Sequence, residues 1–117
     1  MNTPLNLKSS QFNSIFQKAI SDYHLKDDLN QQIINPYLNS DLLNSLLFEK
    51  CWIDTVQWHL EDLIRDPNIN PLNAVELKRN IDFSNQKRTD IVEKIDDYIF
   101  DLYKDIELQK SFIVNTE

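Results

Sequence analysis

Residues 51–67 read CWIDTVQWHLEDLIRDP. Ile53, Val56, Leu60 and Leu63 recur at three- and four-residue steps, the period of one helix face. Pro67 ends the run, because proline disfavours helical geometry in the residue before it. The same stretch carries two tryptophans, a histidine, four acids and an arginine, so this helix holds both a core seam and the chain's densest polar chemistry. Extended upstream, the seam becomes Leu42, Leu46, Ile53, Val56, Leu60 and Leu63, broken by Glu49, and Asn39 or Ser40 is the expected N-cap. A neighbouring stripe holds Phe48, Trp52, Thr55, His59, Asp62 and Asp66, and a third holds Asp54, Trp58, Glu61 and Arg65. A helix with these three stripes calls for more than one neighbour.

Downstream lies the turn Pro67-Asn68-Ile69-Asn70-Pro71. Asn70 caps a third helix and Pro71 takes its first position, where a missing N–H is harmless. That helix is expected to run to about Lys104, about 50 Å at about 1.5 Å per residue. Its seam is Leu77, Ile81, Ser84, Arg88, Ile91, Ile95, Tyr98 and Leu102, a four–three repeat of the coiled-coil kind with a polar break in its middle. The short turn makes helices 2 and 3 an antiparallel hairpin. Counting outward from Ile69 sets position 85 against 53 and 81 against 57.

Upstream, residues 1–9 read as an arm. Helix 1 runs from Ser9 or Ser10 to Leu25, with Phe12, Ile15, Phe16, Ala19, Ile20 and Tyr23 on one face and His24, Asp27 and Asp28 at its end. Residues 29–40 form a crossing loop, expected to be pinned by Ile33, Ile34, Tyr37 and Leu38. Residues 106–117 read as a C-terminal tail. The expectation is an all-α single domain over 1–117: a bundle of three main helices with a long third.

Composition agrees. Of 117 residues none is glycine, and a β-rich chain would need glycine in its hairpins and bulges. The net charge of −7 removes any general attraction to nucleic acid or anionic membranes. Residues 41–67 alone set six acids against two bases. Such acids most simply make a solvated face, and otherwise hold a divalent cation. One cysteine rules out an internal disulfide and a cysteine zinc cluster. The N-terminus lacks the apolar run of a signal peptide, which leads to an expected cytoplasmic location.

Two constellations make up the candidate polar site: His59, Glu61, Asp62 and Arg65 on helix 2, and Asp82, Asn85 and Arg88 on helix 3. His59 and Asp62 stand three apart, a spacing that suits a metal ligand pair or a base with its orienter, but more often a capped or ion-paired histidine. Arg88 lies in the seam. It is expected to be partly buried and paired with Asp54 or Glu61, either to fix helix register or to hold a ligand's phosphate or carboxylate. If the pair is structural, Arg88→Met strands its carboxylate at a loss of several kcal/mol, on the order given for buried pairs. Glu93 and Asp96 form a weaker magnesium alternative. Trp52 and Trp58, with Phe48 and Phe100, read as packing. No cofactor is expected.

At WIDTVQWHLEDLIRDPNINP (52–71) and LKRNIDFSNQKRTDIVEKIDDYI (77–99) the chain resembles the bacterial family of domain of unknown function 4254. DYHLKDD and the Asn-Pro-Tyr of the crossing loop extend the likeness. The resemblance implies an α-helical protein, carries no catalytic residues, and implies a shortened member or N-terminal portion, because the family's members continue beyond Asn115-Thr116-Glu117. Glu93-x-x-Asp96 is also similar to the acid pair of MazG-like nucleotide pyrophosphatases, although Glu61-Asp62 followed by Arg65 and Asp66 leaves that family's partner motif incomplete. The leading expectation is a binding or assembly module that pairs with itself or with another helical partner. The alternative is a magnesium-dependent enzyme acting on a phosphorylated small molecule.

Overall fold

The computed structural model describes residues 9–115, with side chains described for 10–110. The chain is all-α: α1 spans Ser9–His24, α2 Leu42–Ile64 and α3 Pro71–Asn115. α2 is the central element, packed by α1 and by α3. The molecule measures 71 × 25 × 22 Å, and its long dimension is that of α3, 45 residues at about 1.5 Å each. The expected arm over 1–9 lies outside the described residues except for Ser9, where α1 begins.

The caps follow the polar residues that flank each helix. Asn70 Oδ1 accepts from the Leu72 N–H at 2.8 Å and Pro71 is the first residue of α3, as expected. α2 is capped by Asp41 rather than by Asn39 or Ser40. The Asp41 carboxylate accepts from the Asn44 N–H at 3.0 Å, while the Ser40 hydroxyl donates back to Tyr37 O. A carboxylate there also meets the positive end of the helix dipole.

α3 continues eleven residues beyond Lys104, so most of the expected tail is helix. No glycine or proline follows Pro71 to stop it. Thr116 and Glu117 lie outside the described residues.

The densest core joins α1 to α2. Ile15, Ala19 and Tyr23 meet Phe48 and Trp52, with Leu29, Tyr37, Leu47, Cys51 and Val56 packed around them. This revises the seam expected for α2. Leu46 and Leu60 are buried, but so are Leu43 and, on the neighbouring stripe, Phe48, Trp52 and Thr55, while Leu42 and Leu63 are exposed. Ile53 and Val56 are only half-buried. The physical reason is that α1 docks on the aromatic stripe, whose large side chains bury more area per contact.

The crossing loop is also held differently from the expectation. Tyr37 reaches Phe48, but Ile34 and Leu38 are exposed and Ile33 only partly covered. Amides do the pinning instead. Asn35 Nδ2 donates to Ser45 O and Oγ, both at 2.9 Å, and Gln31 Nε2 donates to Tyr23 O at 3.0 Å.

Candidate functional site

The α2–α3 interface is a ladder of polar pairs. Arg88 Nε donates to Asp54 Oδ1 at 2.8 Å, and Lys50 reaches the other oxygen of the same carboxylate at 2.6 Å. One turn toward the hairpin, Gln57 Nε2 donates to Asn85 Oδ1 at 2.7 Å and to Glu61 Oε1 at 3.4 Å, while Ser84 donates to Gln57 Oε1. Position 85 therefore meets 57, one helical turn from the expected 53. Helix side chains lean toward their own N-terminus. In an antiparallel hairpin those of α3 lean toward the turn and those of α2 away from it, so the two offsets add.

Arg88 is paired with Asp54, as the seam reading expects, but its side chain is 49% exposed. Asp54 keeps Lys50 if Arg88 is lost, so the expected loss of several kcal/mol does not apply.

The remaining predicted residues do not converge on this ladder. Asp62 pairs loosely with Arg65 at 3.7 Å on the surface, and Asp82 with Lys78 at 3.0 Å one turn back on α3. Glu93 and Asp96 are exposed on α3. Among the described residues one group of three histidine, cysteine or acidic side chains is placed to share a metal ion, and neither Glu93 nor Asp96 belongs to it.

That group is His24, Asp27 and His59. His59 stacks on Tyr23 with ring centroids 4.9 Å apart and meets the edge of His24 at 5.5 Å. His24 Nδ1 lies 2.6 Å from Asp27 Oδ1. His59 Nε2 is shut off from solvent and has no hydrogen-bond partner. The sequence reading set His59 with Asp62 by helical spacing and missed His24, which arrives from another helix. The signal lay in DYHLKDD, where His24 and Asp27 stand three apart.

Electrostatics follow burial. The Tyr23 phenol is pushed above its ordinary pKa first by burial and then by Asp27 and Asp28. Burial, with Asp54 next, raises the Cys51 thiol in the same way, so Cys51 stays protonated and inert at neutral pH.

A third feature is an open groove of about 1160 Å³ between residues 29–33, α2 and α3, of mixed lining: Trp52, Val56 and Phe83 share its wall with Glu49, Glu76 and Lys87. Among the described residues no helix is long and apolar enough to cross a membrane.

These features define an all-α protein built on a long helical hairpin with a third helix docked on one side. Residues 44–117 match the family described as protein of unknown function (DUF4254), and the chain belongs to that family. No curated protein and no solved structure matches it.

Proposed function

We propose that the chain is a helical assembly module that pairs with a second copy of itself. In this arrangement the free end of each α3 seats in the groove of the other copy. The observation that carries the reading is the mismatch in helix length. Arg88 meets Asp54 and Asn85 meets Gln57, so each step forward along α3 matches a step back along α2. Leu42, the first residue of α2, thus stands level with Phe100. Beyond it α3 has no α2 residue opposite, yet it continues to Asn115, about 22 Å further.

The overhang and the turn leading into it are apolar along one wide stripe. At about 100° per residue, Leu102, Ile106, Ile99, Tyr103 and Phe100 fall side by side. Phe100 is 67% and Tyr103 55% exposed. The apolar part of the groove, Trp52, Ile53, Val56, Leu60, Leu77 and Phe83, supplies the complement. A two-fold exchange fills both grooves with both overhangs, and a closed symmetric pair is the commonest oligomer.

The magnesium-dependent alternative has less support, because none of its acids belongs to the group of described residues placed to share a metal ion.

Light scattering at tens of micromolar tests the proposal. The expected mass is twice the 13.9 kDa of the chain. Phe100→Glu with Tyr103→Glu should reduce it to a single chain without loss of helicity. A wild-type protein that stays monomeric at that concentration contradicts the reading.

A further inference from the structure

We infer that His24, Asp27 and His59 form a binding site for a divalent first-row transition ion, with zinc the best fit to their ligand chemistry. One ring nitrogen from each histidine and one carboxylate oxygen lie within 4.8 Å of one another. Ligand atoms about 2.0–2.2 Å from a tetrahedral zinc stand roughly 3.3–3.6 Å apart. The widest pair, at up to 4.8 Å, therefore has to close by roughly 1.2–1.5 Å on that geometry. His24 and Asp27, with side chains 47% and 64% exposed, are free enough to make that adjustment.

The backbone supports the cluster. His24 is the last residue of α1 and sits three positions before Asp27. Asp27 has φ of +50°, the only positive value among the described residues. The left-handed region is uncommon for residues other than glycine, though aspartate tolerates it better than most. This turn accompanies a carboxylate brought back against His24, 2.6 Å from Nδ1.

His59 comes from α2 and is oriented by its stacking on the fully buried Tyr23. Its shielded Nε2 has no hydrogen-bond partner, which is unusual for a buried polar atom. A dyad of His24 and Asp27 alone would leave that third group without a role.

Two imidazoles and one carboxylate are a set that zinc and its neighbours take, with water at the remaining position. Magnesium and calcium prefer oxygen ligands and are poorly served here. Binding would exchange the short His24–Asp27 contact for two metal bonds and release any proton shared between them. It would also fasten the end of α1 to the C-terminal part of α2.

The test is calorimetric titration of the full, tag-free chain with zinc chloride, with the visible absorption of bound cobalt(II) as a second readout. The expected result is one ion per chain and a cobalt band characteristic of low coordination number. Asp27→Asn suits the positive φ while removing the charge, and His24→Gln changes an exposed side chain, so both should stay folded. Each should weaken binding by roughly tenfold or more, since even outer-shell changes have effects of about that size. His59→Phe keeps a ring against Tyr23 and should do the same. Absence of saturable zinc binding, equal affinity in Asp27→Asn and His24→Gln, or preference for magnesium over zinc would overturn the assignment.

Discussion

The two sides of α2 are held by different physics. Toward α1 the contact is dry and aromatic: Phe48 is fully buried, Trp52 nearly so, and Tyr23 meets the Trp52 ring edge-on at 5.5 Å. Toward α3 it is longer and more polar, with three buried residues, Ile81, Ser84 and Ile91, spaced along α3. Between them lie half-exposed polar pairs such as Arg88–Asp54. Stability on the first side comes from removing apolar area from water, on the order of 1.5–3 kcal/mol for each large side chain fully buried. Half-exposed ion pairs give far less, with a median of about 0–1 kcal/mol. The lesson is that the α1–α2 knot carries the aromatic core, whereas the polar pairs of the α2–α3 ladder mainly set register.

Substitutions on each side put this contrast at risk. The largest effect belongs to the knot. Phe48→Ala removes a ring that is 0% exposed and should destabilise the protein by about 3–5 kcal/mol in urea unfolding. A loss below about 1 kcal/mol, the level of a surface pair, would erase the distinction between the two sides.

Arg88→Met is the corresponding change on the ladder. Its carboxylate keeps Lys50 at 2.6 Å, so the expected loss is below about 1 kcal/mol and shrinks further in added salt. A loss of several kcal/mol would mean that the ladder holds the hairpin as strongly as the aromatic knot holds α1.

The smallest effect is a matter of pH. Tyr23 titrates above the ordinary phenol value because it is buried and sits near Asp27 and Asp28. The unfolded chain then ionises first. The contribution of Tyr23 is therefore present in full below the unfolded phenol pKa, near about 10, and is lost as pH rises through the higher folded value. Unfolding midpoints followed upward from neutral pH should fall more steeply for the wild type than for Tyr23→Phe. Parallel curves would place Tyr23 in a more solvated setting than its burial indicates.

How much of this was legible in the sequence differs between the two sides. The hairpin is written in Asn70-Pro71 and in the four–three steps from Leu77 to Leu102, and Arg88 in a seam of isoleucines points to an acid across it. Periodicity gives the face of each helix but not the lean of its side chains, which is why the register is off by one turn. It also cannot rank two stripes on one helix. The aromatic stripe of Phe48 and Trp52 outranks the aliphatic seam only because α1 docks there.

Of the histidine cluster only the His24–Asp27 spacing was legible, for a different reason. His24 and His59 belong to separate helices, and Asp27 joins them through a backbone conformation that nothing in Leu25-Lys26-Asp27 demands. Nor does the stretch after Lys104 announce a stop, so its continuation as helix follows from the missing glycine and proline rather than from any positive signal.

The claim that α3 completes a second copy is tested most directly by a paramagnetic label on the overhang. Leu108 is exposed on the side of α3 away from the apolar stripe, so a label there leaves the stripe free to dock. Leu108→Cys in a Cys51→Ser background gives one labelling site, because Cys51 is the only cysteine. Labelled, isotopically silent chains mixed with unlabelled, isotope-enriched chains report only contacts between copies. Broadened amide signals are expected along the groove, at Ile53, Val56, Leu60 and Phe83. Broadening confined to residues beyond Phe100, or none at all, would contradict it.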